Sequence, residues 1–183
     1  MTIRSELVSE LQLDISPLQE SDIDQFDLIL NAHVRDSSTG EVIAAEIASI
    51  KSYMRGGEDE YGRTRTYIVA RDHTGKIWGC MAYSVPDPDM IIHFGLETTD
   101  DSIELLNAFV SPEIFRGGGV GKKLLEGIVE AGRKEAKKQL LIHSGPRYEK
   151  SWGFYDKLTD TSHGFIQNKY GEGRHAKTWR KVL

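Results

Sequence analysis

The chain carries one cysteine, Cys80, in 183 residues. An internal disulfide is excluded, and a reducing compartment is the expectation. No apolar run approaches the ~20 residues of a membrane span, and the start, Met-Thr-Ile-Arg-Ser-Glu-Leu, has no signal-peptide core. These absences predict a cytoplasmic protein without membrane association. Basic residues are outnumbered: 23 Lys and Arg face 28 Asp and Glu, for a formal net charge of −5. That balance argues against a nucleic-acid partner and suits a cationic or amine-bearing acceptor. The six histidines show no paired metal-ligand spacing, so no metal is expected. There is no internal repeat and no low-complexity linker.

The length and the 39% hydrophobic content fit one domain over residues 1–183 with a sizeable core, residues 1–20 forming a short strand or lead-in. Ser21-Asp-Ile-Asp reads as a helix start, and Phe26, Ile29, Leu30 and Val34 give a helical stripe. A second stripe runs from Val42 to Met54 and closes at Gly56-Gly57. Thr66–Arg71 and Ile77–Val85 read as a hairpin around Asp72-His-Thr-Gly75-Lys. Met90–Leu96 reads as a short strand and Ile103–Val110 as a further strand. An amphipathic helix follows over Val120–Ala136, with Gly127 on its apolar stripe, which predicts close helix-to-sheet packing. Leu140–His143 is a short buried strand, Ser151–Leu158 a short helix, and Phe165–Lys169 with His175–Val182 a closing hairpin. The order predicts an α/β (α+β) fold: a mostly antiparallel mixed sheet with helices on both faces.

The densest signal is Arg116-Gly117-Gly118-Gly119-Val120-Gly121-Lys122, between the strand ending at Val110 and the helix starting at Val120. A glycine turn feeding a helix start exposes backbone N–H groups and the positive end of the helix dipole. Glycine removes Cβ atoms that would block a ligand's approach. A helix start ordinarily favours Asp or Glu, yet no acid occurs in this helix before Glu126, and Arg116, Lys122 and Lys123 flank the turn. A bound phosphate resolves that mismatch. The spacing excludes a Walker loop, because Arg116 stands at its first glycine and Lys123 at its Ser/Thr. It also excludes the G-x-G-x-x-G dinucleotide fingerprint, whose third glycine would be Lys122 or Leu124.

Arg116, Gly119 and Gly121 do fit Arg-x-x-Gly-x-Gly. With Val110-Ser-Pro112 upstream and Phe154-Tyr155-Asp-Lys157-Leu158 downstream, the chain resembles the GNAT superfamily of N-acetyltransferases over about residues 65–183. The resemblance implies a fold whose fourth and fifth strands splay apart, and acetyl-CoA as cosubstrate, its pyrophosphate held by Arg116, Gly117, Gly118, Gly119, Val120, Gly121 and Lys122. It implies that the backbone of Phe109 and Val110, beside a bulge, binds the pantetheine or acetyl carbonyl. Glu104 resembles the family's acidic general base, and strand alternation puts it on one face with Leu106, Ala108 and Val110; a solvent-facing strand glutamate is the other reading. Tyr155 matches the tyrosine that protonates the coenzyme A thiolate, or else it is a core residue.

The expected reaction is direct acetyl transfer to a primary amine, small-molecule or protein, in a ternary complex. A homodimer is compatible with the sequence. Departures at Tyr148, at Ser151 and in the delayed Gly164-Phe165 motivate a second reading, a coenzyme A-binding regulatory protein. An enzyme acetylating aminoacyl-tRNA is a third, disfavoured by the acidic composition. Cys80, in an apolar strand, reads as a buried small residue without a nucleophile's partners. His143 and Arg147 are candidates for contacts in the fifth-strand loop. Asp87, Asp89, Glu97, Asp100 and Asp101 read as an acceptor entrance or a solvated loop.

Overall fold

The structure, a computed structural model, describes residues 12–114 and 118–183. Among these residues seven strands form one sheet: β1 (Asp14–Pro17), β2 (Thr66–Arg71), β3 (Ile77–Ser84), β4 (Ser102–Val110), β5 (Gln139–Ser144), β6 (Thr161–Ile166) and β7 (Ala176–Val182). Their order is β1-β2-β3-β4-β5-β7-β6. Among the described residues five α-helices accompany them: α1 (Asp27–His33), α2 (Ala44–Met54), α3 (Pro88–Phe94), α4 (Val120–Lys134) and α5 (Trp152–Leu158). The mixed α/β class expected from the sequence is the one observed. Among the described residues, no helix is long and apolar enough to cross a membrane.

The chain divides into two compact units. The first comprises the described residues up to Asp59, with Thr64–Ala82 and Asn107–Gly127. Here β1 pairs antiparallel with β2, Asp14 opposite Arg71 and Pro17 opposite Ile68. A 3-10 turn over Glu20–Phe26 leads into α1, and the stripe of Ile23, Phe26, Ile29, Leu30 and Val34 is buried. Arg71 holds that turn by two hydrogen bonds to Asp22, of 3.1 and 2.9 Å. Gly127 of α4 lies where a Cβ would come within 2.8 Å of Ile15 and 2.9 Å of Ile68, so only glycine lets the helix sit this close to β1 and β2.

The second unit comprises Glu60–Arg63, Tyr83–Leu106 and Ile128–Leu183. In it β4 and β5 run parallel, paired from Ser102 with Gln139 to Leu105 with Ile142, while β4 continues to Val110 and β5 to Ser144. On its other side β5 pairs antiparallel with β7, which also pairs with β6. Leu140, Leu141 and Ile142 are all buried, as an interior strand requires. Trp179 of β7 is fully buried and packs against Tyr155 of α5, ring centroids 5.1 Å apart.

One element differs from the sequence reading. Met90–Leu96 is not a strand, because residues 88–94 form α3. Asp87 caps the helix by accepting the Met90 N–H, Pro88 supplies the fixed φ of a first turn, and Gly95 closes it at φ 60°. These end signals override the apolar run Met90-Ile91-Ile92. The closing hairpin also starts earlier than expected, with β6 beginning at Thr161.

Candidate active site

The first unit carries the glycine turn. Arg116 and Gly117 lie outside the described residues. Gly118 and Gly119 lead into α4, with Gly119 at φ 77° and space where a Cβ would stand. The Lys123 N–H donates to the Gly119 carbonyl at 3.0 Å, so the helix begins here. The amides of Gly119, Val120, Gly121 and Lys122 belong to the first turn, whose N–H groups have no i−4 partner within a helix. Val120 is buried and anchors that turn, while Lys122 is exposed, its ammonium 3.8 Å from Glu126. No acid occupies the first turn. This cradle of amides and positive side chains fits a phosphate group chemically.

Upstream, β4 ends at Phe109 and Val110. Its backbone breaks regularity at Asn107, where φ is 45°. A left-handed residue inside a strand needs support, and Asn107 Oδ1 accepts hydrogen bonds from Arg65 and from the Tyr67 hydroxyl. The Val110 carbonyl accepts from His33 Nε2 at 2.7 Å. Gly79 allows a close approach, because a Cβ there would lie 2.7 Å from the Phe109 carbonyl oxygen. Cys80 is fully buried, and desolvation pushes its thiol up to about 12. It is therefore a small core residue rather than a nucleophile.

The second unit carries the ionisable groups. Glu104 of β4 is 0% exposed, so the solvent-facing alternative does not hold. A buried carboxylate must be compensated, and Glu104 is. Oε2 accepts from Arg63 at 2.8 Å and from the Asp87 N–H at 2.7 Å, and Oε1 pairs with His143 Nε2 at 2.9 Å. The other imidazole nitrogen, Nδ1, lies 2.7 Å from the Tyr170 hydroxyl. With Nε2–H donating to Glu104, Nδ1 accepts from Tyr170.

Asp87 adds a second pair. Its carboxylate receives the Lys169 ammonium at 2.6 Å, and Lys169 also reaches Asp89 at 3.0 Å. Burial opposes ionisation of Asp87, but Lys169 and the Met90 N–H outweigh it and hold the carboxyl below its ordinary range. Burial likewise opposes the charge on Lys169, yet the two aspartates raise its pKa. Asp87 is therefore a buried structural anion, not part of a solvated loop. Asp87, Glu104 and His143 also present three ligand atoms within 4.8 Å of one another. Arg63 and Lys169 already place two positive charges against those carboxylates.

Tyr155 sits on α5 and is 6% exposed, its ring edge-on to Phe154. Burial alone pushes its phenol well above the ordinary value, which keeps it protonated at neutral pH. Ser151 Oγ donates to the Tyr148 carbonyl at 2.7 Å, and the Arg147 guanidinium stands over the Tyr148 ring. The two positions that depart from the family pattern are thus tied into one 3-10 segment, Pro146–Ser151.

Glu104 is therefore brought together with His143, and sequence reasoning missed the partners Arg63, Lys169 and Tyr170. Gly145 is the one local signal for Tyr170: a Cβ there would lie 2.7 Å from the tyrosine ring.

A family model described as acetyltransferase (GNAT) family matches residues 31–159. Solved structures share the fold. A ribosomal-protein-alanine N-acetyltransferase from Brucella melitensis is similar at TM-score 0.64 and 21% identity, over 93% of this chain and 100% of that one. An N-acetyltransferase from Staphylococcus aureus gives 0.64 and 15%, over 93% and 98%. A protein from Salmonella typhimurium, assigned as an acetyltransferase and solved with its cofactor acetyl-CoA, gives 0.63 and 15%, over 93% and 94%. No curated protein matches by sequence.

Proposed function

The chain belongs to the GNAT family of acetyltransferases and is an acetyl-CoA-dependent acyltransferase; from that premise we propose that it moves the acetyl group directly to a primary amine within a ternary complex. The observation that carries this reading is the passage from β4 into α4. One strand bears the buried carboxylate Glu104 and ends at Phe109 and Val110, and the turn after it opens a helix with basic flanks and no first-turn acid.

Arg116, Gly117, Gly118, Gly119, Val120, Gly121 and Lys122 hold the pyrophosphate, through backbone amides and positive charge. The Phe109 and Val110 backbone orients the pantetheine arm or the acetyl carbonyl. Glu104 draws the proton from the acceptor ammonium, and because it is buried it acts through its hydrogen-bonded neighbours. The freed amine forms the C–N bond as the C–S bond breaks. The thiolate leaves with the electron pair and takes a proton from Tyr155, whose buried phenol is protonated at working pH. The acidic composition favours an amine-bearing small molecule or protein as acceptor, the lone cysteine favours a cytoplasmic setting, and the length favours residues 1–183 acting as one domain.

Initial-rate kinetics with both substrates varied test the direct route. Intersecting lines and an unmodified protein mass after incubation with acetyl-CoA alone support it. Parallel lines together with a stable acetyl-enzyme refute it, since the buried thiol of Cys80 offers no nucleophile for a two-step route.

A further inference from the structure

Glu104 has no exposed surface, and both its oxygens are engaged. A proton from outside must therefore reach it through another group. Tyr170 is 37% exposed and is the outermost member of the chain of hydrogen bonds that ends on Glu104. Resting on the acetyl-transfer reading above, we propose that Tyr170 is a catalytic residue: its hydroxyl accepts the acceptor's ammonium proton while passing its own to His143, which Glu104 holds from behind.

The step balances. The ammonium N–H bond breaks and a proton arrives on Tyr170 Oη. The Tyr170 O–H proton moves to His143 Nδ1. The Nε2 proton stays on His143 and keeps its hydrogen bond to Glu104, so the ring carries the positive charge, the amine keeps the lone pair for attack, and Tyr170 ends neutral. His143 later returns its proton through Tyr170 to solvent.

Three observations support the direction of transfer. The hydrogen bonds are short enough for transfer, 2.7 Å from Tyr170 to His143 and 2.9 Å from His143 to Glu104. The local charge favours transfer, because the Glu104 carboxylate faces His143 Nε2 and stabilises positive charge that develops on the ring, with Asp87 paired to Lys169 alongside. Asp87 itself lies 3.9 Å from His143 Nε2. Desolvation, then Glu104 and Asp87, raises the Tyr170 phenol above its ordinary value, with Tyr148 adding to this and Arg147 opposing it. Tyr170 therefore relays a proton and does not rest as phenolate.

The seat of Tyr170 is built for it. The ring lies against Gly145, where any Cβ would clash, and the tyrosine's own N–H donates to the Arg174 carbonyl at 3.1 Å within the β6–β7 turn. Tyr170→Phe keeps that packing and removes only the relay oxygen.

The test uses the full chain, acetyl-CoA and a panel of primary amines, with thiol release and acetylated mass as readouts. Tyr170→Phe should lower kcat/KM at pH 7 about 10²-fold, the usual contribution of a positioned base, with acetyl-CoA affinity unchanged. His143→Gln should fall equally, and the double variant no further, because the two act as one unit. Both variants should regain rate as pH rises and the amine loses its proton unaided. In the wild-type protein, imidazole nitrogen NMR should place the His143 proton on Nε2. Wild-type turnover in Tyr170→Phe, additive losses in the double variant, or a proton on Nδ1 overturns the relay and leaves acetyl transfer standing. Failure of the wild-type protein to acetylate any amine overturns the acetyl-transfer reading, and the catalytic role with it.

Discussion

His143 Nε2 stands 2.9 Å from a Glu104 carboxylate that has no exposed surface. This pairing changes what Glu104 can do. A carboxylate on an open strand face could meet an amine itself, whereas this one touches only Arg63, the Asp87 N–H and His143 among the hydrogen-bond partners described.

Glu104→Gln tests the inner end. The amide preserves shape and keeps an acceptor for Arg63 but removes the negative charge. Acetyl transfer should fall by about 10²-fold or more, while acetyl-CoA affinity measured by calorimetry stays within a few-fold. Glu104→Ala should also unfold at a lower temperature, because it breaks the ion pair with Arg63 and empties a fully buried site, a loss of about 3–5 kcal/mol.

Tyr155→Phe should lower kcat by about 10²-fold with little change in acetyl-CoA binding. Burial raises the Tyr155 phenol, so its neutral form persists to higher pH than an ordinary tyrosine's. The alkaline loss of kcat that belongs to this group should therefore lie above pH ~10. An unchanged kcat in the variant removes the acid role.

Gly119→Ala places a side chain at φ 77°, a strain of about 1–2 kcal/mol. Space for the methyl itself exists, so the cost is backbone geometry. Acetyl-CoA should bind about tenfold more weakly, with stability little changed if the turn relaxes. Lys122→Ala should weaken binding and flatten its dependence on salt.

Asp22 and Arg71 form a stability pair remote from the chemistry. The Arg71 hydrogen bonds, then the Gln19 N–H, lower the Asp22 pKa against the cost of burial. Because the folded pKa is depressed, the stabilisation is present above the ordinary carboxylate value near 4 and lost as pH falls through the folded value. Asp22→Asn should cost about 1–3 kcal/mol at pH 7 and flatten the acid limb of a thermal-stability profile. Activity per folded molecule should be unchanged.

The sequence makes some of this legible. The periodicity of Thr66–Arg71, Ile77–Val85 and Ile103–Val110 marks β2, β3 and β4, and the glycine turn marks the start of α4, because those signals are local. The α3 helix is misread because Met90-Ile91-Ile92 looks like a strand, while its determinants sit at the ends, in Asp87-Pro88 and Gly95. Glu104 is legible as a candidate but not its surroundings. Arg63 is 41 residues away and the Lys169–Asp87 pair spans 82, so no spacing rule joins them. Tyr170, in the β6–β7 turn, carries no motif that marks it, because its contact with His143 spans 27 residues.

The most direct measurement is incubation of the wild-type protein with acetyl-CoA and a diverse primary-amine library, following free thiol and acetylated mass together. Free thiol and a gain of one acetyl group on the amine should appear in equal amounts, and both should form about 10²-fold more slowly in Glu104→Gln. Tight acetyl-CoA binding without any acetylated product, the behaviour of a coenzyme A-binding regulatory protein, would contradict this expectation.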